Sequence, residues 1–120
     1  MDASSREIDK QAWASYLTQV AQEHRDLEIS IEIVGGEVGH GIEATDMQLE
    51  DLVYDERSDE LEIAGSRRVD SSRQVLRHFV SHPRSVWVEE VAGEPAAIEI
   101  DHGDGVKTLV RMSHAPELPR

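Results

Sequence analysis

Apolar residues recur along this chain with two different periods, and the switch between them sets the predicted order of elements. Trp13, Tyr16, Leu17, Val20 and Ala21 fall at helical spacing behind Asp9, a residue suited to an N-cap, and predict a helix from about Lys10 to Arg25. The period then changes to two. Leu27, Ile29, Ile31 and Ile33 alternate with Glu28, Ser30, Glu32 and Val34, the pattern of a half-buried strand with a largely acidic outer face. Past the glycine-rich turn at Gly35–Gly39, shorter runs at Gly41–Thr45, Leu52–Tyr54 and Leu61–Ala64 read as strands, the last two joined by the polar connection Asp55–Glu60. Val86–Val88, Ala97–Ile100 and Val106–Met112 follow, linked through Ala92–Pro95 and His102–Gly105 into a C-terminal three-stranded meander. Only Gly65–Arg77 breaks the rhythm. Rich in Ser and Arg and lacking a Gly-Pro turn signal, it predicts a long loop or a short helix. The tail from Ala115, with two Pro, is expected to fray.

One helix followed by six or seven short strands defines an α+β class, mainly antiparallel β. The helix is expected to pack on a strongly bent sheet or a small SH3/Sm-like barrel. Parallel α/β is excluded because no crossover helices separate the strands. With 120 residues, the expectation is a single domain over 1–120 with one modest core. No apolar run approaches the roughly 20 residues of a membrane span, and Met1–Arg6 lacks the basic start and apolar stretch of a signal peptide, so the expected compartment is the cytoplasm. The absence of Cys removes disulfides, thiolate nucleophiles and thiolate metal sites together.

Charge adds an asymmetry that periodicity does not show. The net charge is -13, and Asp26 to Glu62 holds thirteen Asp and Glu against one Arg. Arg67, Arg68, Arg73, Arg77 and Arg84 then form a basic island that faces only Asp70 in its own segment. Ten Arg against two Lys fits either high-GC coding or a halophilic surface, which a thermal melt across KCl concentrations separates. If the five Arg lie together, they are candidate partner-binding residues for carboxylate, phosphate or nucleic acid. Phe79 is the island's single aromatic and the acidic remainder repels polyanions, which disfavours nucleic acid. The favoured reading is self-complementarity: the Arg segment meets acidic strands of a second copy, or of the same chain.

Chemistry-bearing motifs are weak by comparison. His78 and His82 sit at the i, i+4 spacing of a helical zinc pair, but in an extended segment their Cα atoms stand roughly 13 Å apart. Pro83 also biases His82 away from helical angles. Gly35, Gly36, Gly39 and Gly41 lie between two strands and carry Glu37, which argues for a hairpin loop over a phosphate cradle, and His40 at its edge is a lone imidazole. The acidic pairs Glu50-Asp51, Asp55-Glu56, Asp59-Glu60 and Glu89-Glu90 point to opposite faces of a strand, and most of them read as solvated charge. Asp101-x-x-Asp104-Gly105 lacks calcium-loop spacing, while Ser81-His82 and Ser113-His114 are neighbours in sequence only. No catalytic residue, metal ligand or cofactor site is assigned. The chain reads as a non-catalytic protein-interaction domain, with a nucleic-acid-binding module and a small metal-dependent hydrolase as alternatives.

Two resemblances extend this reading. Leu27–Gly36, Gly41-Ile42, Asp46–Leu49 and Leu52 resemble the first motif of Sm-like proteins. That resemblance implies an N-terminal helix, a small bent five-stranded barrel, ring assembly and RNA binding, although the family's Asn beside the position of Gln48 and its basic-Gly second motif are missing. Across nearly the whole length, Arg6-Glu7-Ile8 before the Trp-bearing helix, Tyr54-Asp55, Asp59–Ile63, His78–Glu89 and the hairpin Ile98–Leu109 are similar to a family of small bacterial proteins of unknown function. This second resemblance carries over no catalytic or binding residue.

Overall fold

The computed structural model describes residues 3–36 and 39–114, except for the side chain of His40. The tail from Ala115, Glu37 and the His40 imidazole therefore lie outside the described residues. Strand β1 (Ala3–Ile8) leads through a 3-10 turn (Lys10–Ala12) into helix α1 (Trp13–Glu23). Seven strands follow: β2 (Leu27–Gly35), β3 (Gly39–Asp55), β4 (Glu60–Val69), β5 (Ser72–Ser81), β6 (Ser85–Val91), β7 (Glu94–Asp101) and β8 (Val106–His114). All eight strands form one sheet of order β1-β6-β7-β8-β2-β3-β4-β5, and every neighbouring pair is antiparallel. No helix among the described residues is long and apolar enough to cross a membrane.

The sheet bends over a single core. Leu27, Ile29 and Ile31 of β2, Val86 and Val88 of β6, Ile98 and Ile100 of β7 and Val110 of β8 all point inward, as period-two alternation requires. Helix α1 adds Trp13, Leu17, Val20 and Ala21. Trp13 fixes its position: the indole Nε1 donates to the Ile8 carbonyl at 2.9 Å, and the ring meets Tyr54 edge-on at 5.0 Å. Strand β3 bends most. Its 17 residues carry bulges opposite both β2 and β4, and Asp46 takes a left-handed φ of 55°.

Several expectations are corrected. There are eight strands, not six or seven, and the SH3/Sm-like barrel is not formed. Closure needs the edge strands to meet at ladder spacing, but among the described residues β1 pairs only with β6 and β5 only with β4. The carbonyl of Ile8 on β1 is taken by Trp13, and the Arg6 guanidinium lies 5.5 Å from the Tyr16 ring centre, so α1 flanks that edge. Helical backbone begins at Lys10 as expected, but its first three residues form a 3-10 turn, and the α-helix runs from Trp13 to Glu23, short of Arg25. Asp9 supplies no side-chain cap; its carbonyl instead accepts from the Ala12 amide at 2.8 Å within the 3-10 turn. Gly65–Arg77 is neither loop nor helix. It is most of a β-hairpin, turning at Asp70-Ser71, where Asp70 holds a φ of 57° that Asp tolerates better than most residues.

Candidate functional site

The β4–β5 hairpin carries four of the five candidate arginines and divides them between its faces. Cross-strand pairs run Glu62↔Phe79, Ala64↔Arg77, Ser66↔Val75 and Arg68↔Arg73 on one face, and Ile63↔His78, Gly65↔Leu76 and Arg67↔Gln74 on the other. The first face is solvent-exposed over Arg68, Arg73, Val75, Arg77 and Phe79, with Val75 and Phe79 exposing 43% and 50% of their surface. The second continues the core. Arg84 lies apart, in the β5–β6 connection, with its side chain stacked over Gly103.

Two of these cations are already matched within the chain. Arg77 Nη1 donates to Glu62 Oε2 at 2.7 Å, and Arg73 donates to Glu50, which also accepts from the Ser66 hydroxyl. These hydrogen bonds hold the Glu50 carboxyl below its ordinary value, the Ser66 contact most strongly, and Glu62 raises the Arg77 guanidinium. Glu50 reaches both partners because it is the bulged residue between Leu49 and Asp51, so its side chain leaves the regular alternation of β3. Arg67 and Arg68, near the hairpin tip, have no ion-pair partner among the described residues. The five Arg are thus one segment but not one patch.

Beside the hairpin the sheet forks. β3 pairs with β4 only from Gln48 onward, while its earlier half stays with β2, and beyond Ser66 the hairpin tip pairs only within itself among the described residues. A cleft of about 540 Å³ opens between them, lined by Ile42–Thr45 and Met47 on one wall and by Arg67 and Gln74–Leu76 on the other. Its size falls within the usual range of ligand sites.

Two polar clusters connect the rest. Thr108, fully buried on β8, stands 2.7 Å from His102 Nε2 and 3.4 Å from His78 Nε2, so its hydroxyl bridges β5, β8 and the β7–β8 turn. Burial lowers the His78 pKa, with His102 acting in the same direction and Glu43 opposing. At the other end, Asp59 accepts from the Tyr54 hydroxyl at 2.6 Å and lies 3.1 Å from His82 Nδ1 and 3.9 Å from Lys10 Nζ. The Tyr54 hydrogen bond is the chief cause of the lowered Asp59 pKa, and the same bond raises Tyr54 to about 12. His78 and His82 therefore serve different clusters. Among the described residues no group of three or more His, Asp and Glu could hold a metal ion. The periodicity of the sequence pointed to none of these contacts, because Asp59, Thr108 and His102 converge only through register and turn geometry.

This is the anatomy of a small α+β domain with an open, bent antiparallel sheet and polar contacts tying its turns together. The chain belongs to a family of unknown function, DUF5335, whose model matches residues 4–120. It is also similar to a protein of Aquifex aeolicus (strain VF5) named only as an uncharacterized protein. The two are 28% identical over 116 residues, covering 97% of this chain and 98% of that one. No solved structure matches it.

Proposed function

We propose that the protein is a non-catalytic interaction module that associates with a second copy of itself along the free edge of β5. The observation that carries this reading is that edge: ten residues paired, among the described residues, on one side only, exposing Val75 and Phe79 on an otherwise strongly charged domain. A long unpaired strand is a template for antiparallel pairing, and pairing with its own copy satisfies two-fold symmetry without a second kind of surface. Centring the two strands on Leu76 sets Arg73 of one copy beside Phe79 of the other and Val75 beside Arg77, so no two Arg stand directly opposite. Cation–π contact then becomes available at both ends. The in-chain pairs Arg73–Glu50 and Arg77–Glu62 support this arrangement, since they neutralise guanidinium groups that would otherwise repel across the axis.

Sedimentation equilibrium of the wild type and of a Val75→Lys/Phe79→Lys double variant tests the proposal. Both side chains are exposed, so the variant is expected to fold; the wild type should sediment as a dimer and the variant as a monomer that still unfolds in one cooperative thermal transition. A monomeric wild type at every concentration overturns the reading.

A further inference from the structure

The fork in the sheet leaves two unpaired strand edges on facing walls of one cleft. On the β3 wall, residues 40–42 and Ala44 pair with β2, with bulges at Glu43 and at residues 45–46, and among the described residues none of them pairs on the other side; on the opposite wall, Arg67–Val69 pair only with β5. Backbone N–H and C=O groups along an unpaired edge are obligatory hydrogen-bonding groups, and an added strand is the protein ligand that satisfies them in series. The cleft between these edges is apolar at Met47, which is buried, and at the half-buried Leu76, while Ile42 exposes 62% of its surface at the rim. Charge supplies the orientation. Arg67 lines the cleft without an ion-pair partner among the described residues, in a chain whose net charge is -13 and whose neighbouring Arg73 and Arg77 are both paired. Glu43, on the opposite wall, makes no ion pair with it. An unmatched guanidinium at the edge of a partly apolar opening between two strand edges selects a carboxylate. A polyanion is disfavoured by the acidic remainder, so one acidic group among apolar neighbours fits best.

We infer that this cleft binds an extended peptide segment that carries a carboxylate side chain between apolar residues. The segment enters as an added strand in the fork, hydrogen-bonds along residues 40–44 of β3, and places its carboxylate on Arg67. The cleft shares Val75 and Leu76 with β5, but the added strand pairs with β3, so its binding does not require pairing along the free β5 edge.

The test is an amide chemical-shift titration of isotope-labelled full-length protein with the probe peptide acetyl-Thr-Val-Glu-Val-Thr-amide and its counterpart with Gln in place of Glu. Binding should shift the amides of residues 41–47 and 67–69, and both the Gln peptide and the Arg67→Gln protein should bind about tenfold more weakly, the loss expected for one charge-assisted hydrogen bond. Arg67 is exposed, so the variant's own spectrum reports its fold. No shifts at millimolar peptide, equal affinity for the Gln peptide, or shifts confined to β5 overturn the proposal. Displacement of the peptide by inorganic phosphate at equal concentration also overturns it, by identifying a simple anion site. Sedimentation of the same sample reports self-association separately, so the two readings fail independently.

Discussion

At the scale of single residues, polar groups are held where regular alternation alone would not predict them. The Thr108 hydroxyl lies in the core because two imidazoles satisfy it, and His78 accepts partial burial in return. That burial has a thermodynamic sign. The folded-state pKa of His78 is lowered, so below the ordinary imidazole value of about 6.5 the unfolded chain binds this proton more readily than the folded one. Its contribution to stability is complete above that pH and is lost as pH falls toward the folded-state pKa. Urea denaturation from pH 7.5 to 5 should show falling stability for the wild type and a shallower slope for His78→Gln; parallel slopes would remove His78 as a cause. The Tyr54–Asp59 hydrogen bond acts at the opposite extreme. Because Tyr54 is raised to about 12, its contribution persists below pH 10 and is lost only as pH climbs through that interval.

At the scale of elements, legibility followed burial on one face. α1 and strands β2, β6, β7 and β8 each bury a clean set of positions, so their periods are readable directly. β1 buries only Ile8, and β5 alternates only over Leu76, His78 and Val80, of which Val80 alone is fully buried, so as edge strands they carry little alternation to read. The hairpin turn at Asp70-Ser71 has no Gly, which removed the remaining local signal. The bulges of β3 interrupt the period of a 17-residue strand, so its sequence shows only separate short runs. The same bulges place Glu50 against Arg73 and open the fork, so neither the ion pairs nor the cleft could be deduced from spacing. The five arginines were recognisable as a segment; their partition between faces required the register. Turn chemistry also leaves room for improvement. Ala92 and Gly93, joining β6 to β7, have φ values of 54° and 82°, the signature of a turn that favours Asn-Gly. Ala92→Asn should stabilise the protein by about 0.5–1 kcal/mol by relieving a left-handed Ala. Thermal denaturation checks this, and an unchanged or lower midpoint would contradict it.

At the scale of the whole molecule, the net charge of -13 and the free β5 edge pull in opposite directions. Like charge keeps copies apart at long range, whereas the edge offers backbone hydrogen bonds and two exposed apolar side chains at contact. Salt therefore favours association by screening the first without removing the second. Backbone geometry provides the most direct view of the outcome. In an antiparallel edge strand alternate amides point to the neighbour and the others point to solvent. Hydrogen exchange across β5, measured on the wild type at low and high protein concentration, should show alternate protection when dilute and protection of nearly every Ser72–Ser81 amide when concentrated. Alternate protection at both concentrations would contradict pairing through this edge.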